Sequence, residues 1–141
     1  MFLPTISIFI ALCSIPLIIL YPYMKRITWW PQLWLGFTFN WGIFVGWSCV
    51  TRAHPDFYVV VFYIGCVLWT LNYDTAYALQ DIKYDKKVGI RSSAVYLGNF
   101  AKPFMFITLS IAGLLWTLGA AHLNPGWFSI TSIIIAVLCI L

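Results

Sequence analysis

The 141-residue chain is 62% hydrophobic and 9% charged, with a mean hydropathy of +0.91, which excludes an ordinary soluble globular domain and points to a polytopic membrane protein. Its net charge of +4 does not indicate nucleic-acid binding, because the basic residues lie between apolar runs and not along one polar face. Cys13, Cys49, Cys66 and Cys139 lack short paired spacing, so neither a zinc site nor a disulfide framework is expected, and they read as small packing residues.

Taken in order, the first apolar run covers about residues 2–21. It follows Met1 without the basic segment of a secretory signal and without a cleavage site, so it reads as a true span, with a kink expected at Pro16. Residues 21–26 form a short basic loop, and Trp29 and Trp30 suit the headgroup interface. A second span occupies residues 32–50, where Gly36, Gly42 and Gly46 permit close helix packing. After the 51–56 loop, the third span runs over residues 57–79 and carries Asp74 in its last turns. Residues 80–103 form the longest hydrophilic connection, a place where function concentrates. A fourth span covers residues 104–122, and Trp127, a further interface anchor, begins a fifth that stops at Leu141 as a truncated helix would. The expected fold is an all-α transmembrane bundle of four complete spans and part of a fifth, with Asn40 and Asn72 bonding between helices and no site at His54 or His122.

Lys25 and Arg26 fall in the first loop and Lys83, Lys86, Lys87, Arg91 and Lys102 in the third, so 2 + 5 = 7 of the 8 basic residues share one side and Arg52 is alone on the other. Both basic loops are therefore expected to face the cytoplasm or its topological equivalent.

The acidic residues are still more concentrated. Three of the four, Asp74, Asp81 and Asp85, lie within one dozen positions, and only Asp56 stands apart. Spacings of 7 and 4 would place the three within an arc of roughly 40° on a continuous helix. Carboxylates at a membrane edge are costly to desolvate and face a water-filled cavity, a partner charge or a metal. Oxygen-only ligation suits Mg²⁺, which takes one or two carboxylates and completes its shell with water and substrate phosphate. Lys83, Lys86, Lys87 and Arg91 beside them are able to pair with phosphate oxygens, or serve only as positive-inside loop charge.

The stretch Tyr73-Asp74-Thr75-Ala76-Tyr77-Ala78-Leu79-Gln80-Asp81-Ile82-Lys83-Tyr84-Asp85, followed by Gly89-Ile90-Arg91-Ser92-Ser93-Ala94, resembles the second aspartate-rich motif of the UbiA superfamily of intramembrane aromatic prenyltransferases. Tyr21-Pro22-Tyr23-Met24-Lys25-Arg26, Pro31-Gln32, Leu35-Gly36 and Asn40-Trp41-Gly42 are similar to the branch of that superfamily acting on 4-hydroxybenzoate in ubiquinone biosynthesis. The resemblance covers residues 21–102 and implies that the chain is part of a nine-helix bundle with two facing aspartate-rich motifs. The first of these, Asn-Asp-x-x-Asp in type, is absent, since no Asn here is followed by Asp and nothing upstream of Tyr21 is acidic. Residues 1–141 are thus expected to form a partial UbiA-type domain corresponding to the fourth through eighth helices, with half an active site, inactive without N-terminal helices.

The resemblance further implies transfer of a polyprenyl group from polyprenyl diphosphate to the ring of 4-hydroxybenzoate, with Mg²⁺ held by Asp81 and Asp85. Asp74, about 10 Å along the axis from Asp81 at ~1.5 Å per residue, would act on the acceptor phenol or its proton. Lys25, Arg26, Tyr77, Lys83 and Arg91 are the candidate substrate-binding residues, and the bilayer of a bacterial or mitochondrial inner membrane is the expected setting. Two alternatives differ in class: a non-catalytic remnant or half-subunit that binds quinone-pathway partners, and an ion-coupled transporter using Asp74.

Overall fold

The computed structural model describes residues 3–123 and residue 131, and the expected fifth span with Trp127 lies outside them. Four helical stretches, Thr5–Ile27, Pro31–Thr51, Phe57–Gln80 and Ser93–His122, are long and apolar enough to cross a membrane, and no strand occurs among the described residues. The protein is an all-α integral membrane protein. Exposed Leu3, Phe9, Ile19, Phe39, Val50, Phe106 and Leu114 are the side chains such an environment solvates.

The first stretch consists of α1 (Thr5–Leu12) and α2 (Ile15–Ile27). The kink expected at Pro16 falls just before it: Cys13 and Ser14, both still right-handed, interrupt the stretch, because the proline, second residue of α2, cannot bond back to the carbonyl four residues earlier. The basic loop expected at residues 21–26 is also helical: α2 continues past Pro22, and Lys25 and Arg26 occupy its last turn, where cations favour the helix dipole.

The second stretch divides into α3 (Pro31–Asn40) and α4 (Gly42–Thr51), which ends at Arg52 in the left-handed conformation, φ 55°. Asp56, the isolated acid, caps the next helix: its Oδ1 accepts the Val59 N–H at 2.9 Å. That helix, α5 (Phe57–Gln80), is the centre of the bundle, packing against α8 (Ala101–Leu123) along one side and α3 along another.

Close approach on both sides depends on small residues. A Cβ on Gly36 would lie 2.9 Å from the Val67 carbonyl oxygen, one on Gly65 2.7 Å from Trp116, and one on Gly119 2.7 Å from Phe62. Gly42 and Gly46, also expected to pack, have nothing within 4 Å of an added Cβ. Polar side chains cross the same seams as expected. Asn40 Nδ2 donates to Thr70 Oγ1 at 2.8 Å, and Asn72 Nδ2 to Thr108 Oγ1 at 2.9 Å and to the Met105 carbonyl.

The expected hydrophilic loop 80–103 is mostly helical as well. It contains α6 (Ile82–Val88), α7 (Ser93–Leu97) and a 3₁₀ turn, Gly98–Phe100. Gly89, at φ 75°, closes α6, and the Ile90 N–H reaches back to the Asp85 carbonyl at 2.9 Å.

Candidate functional site

The three aspartates do not share one continuous helix. α5 ends at Gln80, and Asp81, at φ −97° and ψ 6°, is the joint between α5 and α6. Aspartate has low helix propensity, but the Asp81 side chain makes no capping bond to α6, so its carboxylate is not engaged by that helix end. The Asp85 N–H donates to the Asp81 carbonyl at 2.9 Å, so helical geometry resumes at once and the two residues stand one turn apart.

The bend brings the acids together all the same. Asp74, Asp81 and Asp85 line one cavity of about 130 Å³ with Tyr77, Lys25, Gln32, Arg91 and Ser92. Asp74 and Asp85 are half-buried and Asp81 is exposed at the joint. The volume is below the ~300–1,000 Å³ of sites that enclose a whole drug-sized ligand, so the cavity fits a polar headgroup. Three carboxylates against Lys25 and Arg91 give a formal balance of 2 − 3 = −1 when all are ionised. Arg26 and Lys83, the other two candidate cations, are exposed and do not line it.

Each wall is positioned by backbone groups as well as side chains. Arg91 Nη1 donates to the Ile27 carbonyl at 2.9 Å, and the Arg91 N–H to the Lys25 carbonyl at 3.2 Å. Both acceptors lie in the last turn of α2, where carbonyls have no intrahelical donor. The Arg91 guanidinium also sits 5.4 Å from the Trp29 ring centroid. Trp29 and Trp30 pack on Tyr96, and Trp30 on Phe104, at centroid distances of 5.4–6.2 Å. Both tryptophans, expected as interface anchors, thereby also fasten the α2–α3 turn to α7 and α8.

Behind the cavity lies a buried relay that the sequence reading did not assign. Gln32, 4% exposed, accepts the Ser93 N–H on its Oε1 at 3.1 Å, and the Ser93 and Thr75 hydroxyls are 2.7 Å apart. Thr75 in turn donates to the Leu71 carbonyl at 2.6 Å. The relay joins α3, α7 and α5 one residue beyond Asp74 and Ser92. A polar Gln beside a proline at the start of an apolar span was the available signal, and its partners are 43 and 61 positions away.

Among the described residues no three His, Cys, Asp or Glu side chains cluster as a protein-only metal site. Asp81 and Asp85, a turn apart on the wall of a cavity with surplus negative charge, instead fit a hard divalent cation that retains water and ligand oxygens. The same cavity offers ammonium, guanidinium and phenol donors to an anionic ligand.

Residues 1–141 match the family described as the UbiA prenyltransferase family. The chain is 44% identical to human "4-hydroxybenzoate polyprenyltransferase, mitochondrial" over 99 residues, which are 70% of this chain and 27% of the human protein. It is 42% identical to the Arabidopsis thaliana protein of the same name over 116 residues, 81% of this chain and 28% of that protein. A third relative, "UbiA prenyltransferase claS" of Ampulloclitocybe clavipes, is 44% identical over 96 residues, 68% of this chain and 30% of that protein. The chain thus spans under a third of the length of these relatives. No solved structure matches it. By sequence and by its helical membrane architecture, the chain belongs to the UbiA prenyltransferase family.

Proposed function

We propose that these residues form one wall of the active site of an enzyme that transfers a polyprenyl group from polyprenyl diphosphate to the ring of 4-hydroxybenzoate in ubiquinone biosynthesis. The observation that carries this reading is the convergence of Asp74, Asp81, Asp85, Lys25 and Arg91 on one headgroup-sized cavity at the end of a membrane helix. The names of the relatives supply the reaction and favour a mitochondrial inner membrane over a bacterial one.

Asp81 and Asp85 would hold Mg²⁺, in keeping with the family's divalent-metal dependence, and the ion would supply positive charge to offset that of the departing diphosphate. Lys25 and Arg91 add cations to the same cavity, and Arg91 also holds the α6–α7 connection against α2. The bond between the prenyl carbon and the diphosphate oxygen breaks, and the electron pair leaves with the diphosphate. The ring carbon next to the acceptor phenol then forms the new carbon–carbon bond and loses its proton. Asp74, on α5 above the joint, polarises the phenol or accepts a proton, and Tyr77, one turn further on, hydrogen-bonds donor or acceptor.

A single aspartate-rich motif, in a chain under a third of its relatives' length, supports a partial UbiA-type domain that is completed by further helices carrying the first aspartate-rich motif. The 141 residues alone are accordingly expected to show no prenyl transfer. An ion-coupled transporter is the weaker reading, because Asp74 lines the same cavity as Asp81 and Asp85. A non-catalytic remnant has no observation in its favour over the enzyme.

The test is prenyl transfer to 4-hydroxybenzoate by membranes containing this segment within a chain of the relatives' length. Product is expected with Mg²⁺ and none after chelation. Undiminished product in chelator would overturn the metal assignment, and absence of product under all conditions would favour the remnant.

A further inference from the structure

Helix α6 carries opposite charges on opposite faces. At 100° per residue, with Lys83 set at 0°, Lys87 lies at roughly 40° and Lys86 at roughly −60°, whereas Asp81 and Asp85 lie at roughly 160° and −160°. The structure agrees with this division: both aspartates line the cavity, and the three lysines are exposed and do not. None of the three lysines makes a hydrogen bond or ion pair with another described residue. Acids on the inner face account for the cavity. They leave the outer lysines without a role in it.

Position and flanking residues say what meets that outer face. α6 begins one residue after the membrane-crossing stretch Phe57–Gln80 ends, so its lysines stand at the level where the apolar span gives out. Between the two charged faces is Tyr84, and Val88 borders the acidic one; they are 64% and 54% exposed. An amphipathic aromatic and an aliphatic side chain beside lysines is the composition of a helix resting at a headgroup boundary. Three clustered ammonium groups there complement phosphates in the plane of the bilayer, a surface that attracts each nearby lysine.

We propose that the Lys83–Lys86–Lys87 face of α6 binds the phosphates of anionic phospholipids and thereby holds the Asp81–Asp85 face turned toward the cavity. The lipid is a structural ligand of the short helix. Otherwise this seven-residue helix has only limited packing on α5 and α7 between the Asp81 bend and the Gly89 turn. This inference concerns the outer face only and does not depend on the reaction proposed for the inner one.

Amide hydrogen exchange across residues 82–88 tests it, with the chain in nanodiscs of phosphatidylcholine alone or mixed with phosphatidylglycerol. Exchange is expected to slow by roughly tenfold in the anionic discs and to recover as salt screens the surface. A Lys83→Gln/Lys86→Gln/Lys87→Gln variant should lose the slowing and the matching Arg variant should keep it, with exchange in α5 unchanged in both as the control for folding. Equal rates in the two disc compositions, or slowing that survives in the Gln variant, would overturn the proposal. So would equal slowing in neutral discs on adding inorganic diphosphate, which would make the face a site for that soluble anion.

Discussion

The seam between α5 and α8 and the cavity where α5 gives way to α6 lie along the same helix, yet they treat polar groups in opposite ways. Along the seam, each polar side chain described is satisfied by the facing helix: Asn72 by Thr108 and Met105, and Trp116 Nε1 by Cys66 Sγ at 3.2 Å. Glycines bring the backbones close enough for those bonds to form. At the cavity the backbone is capped, by Arg91 on the α2 carbonyls, whereas the carboxylates remain turned to open space. The carboxylates at one end share a cavity with Lys25 and Arg91, while the polar groups further along the helix are matched across the seam.

Substitutions at the two places should therefore fail differently. The largest effect is expected at the cavity: Asp74→Asn should lower kcat on the order of a hundredfold or more, the scale of general acid–base help, while the KM for the prenyl donor changes little. Loss confined to donor KM would move Asp74 into the diphosphate site. At the seam, Gly65→Leu drives a side chain into Trp116 and should cost about 1–3 kcal/mol, read as lost resistance to detergent unfolding. Normal stability would mean that Trp116 has room to move. In the relay behind the cavity, Ser93→Ala should cost about 1 kcal/mol, and the Thr75→Val/Ser93→Ala pair should cost less than the sum of the two single changes. Additive losses would show that the 2.7 Å contact contributes nothing. Smallest is Asn72→Ala, expected at about 0.6 kcal/mol by the same unfolding measurement, because interhelical hydrogen bonds in membranes are modest on average.

How much of this was legible in the sequence follows from the range of each signal. Apolar runs marked the second and third spans to within a residue or two, but the first continues to Ile27 and not to residue 21, and the fourth begins near Ser93 and not at residue 104, because α7 and the 3₁₀ turn extend it. Asn40 and Asn72 were readable as interhelical bonds, since a polar amide in an apolar run has few other partners. The acidic cavity was also readable, but partly for the wrong reason: the helix breaks at Asp81, and the three carboxylates line one cavity from two helices and the joint between them. Lys83 was grouped with the aspartates by nearness in sequence, and the structure leaves it exposed and outside the cavity lining, because side chains two residues apart on a helix do not share a face. Gln32, Thr75 and Ser93 were invisible as a group because their meeting is a product of packing among α3, α5 and α7. Gly42 and Gly46 show the converse, a small-residue pattern with no described neighbour.

The central claim is that Asp81 and Asp85 on the cavity wall hold Mg²⁺ against the donor diphosphate. The most direct measurement is Mg²⁺-dependent transfer of a prenyl group to 4-hydroxybenzoate by the Asp81→Ala variant beside the unaltered protein, with equal amounts of each in the membrane. Loss on the order of 10²- to 10³-fold, the scale for removing one group that stabilises charge in a transition state, is the predicted result. Transfer equal to that of the unaltered protein would contradict it.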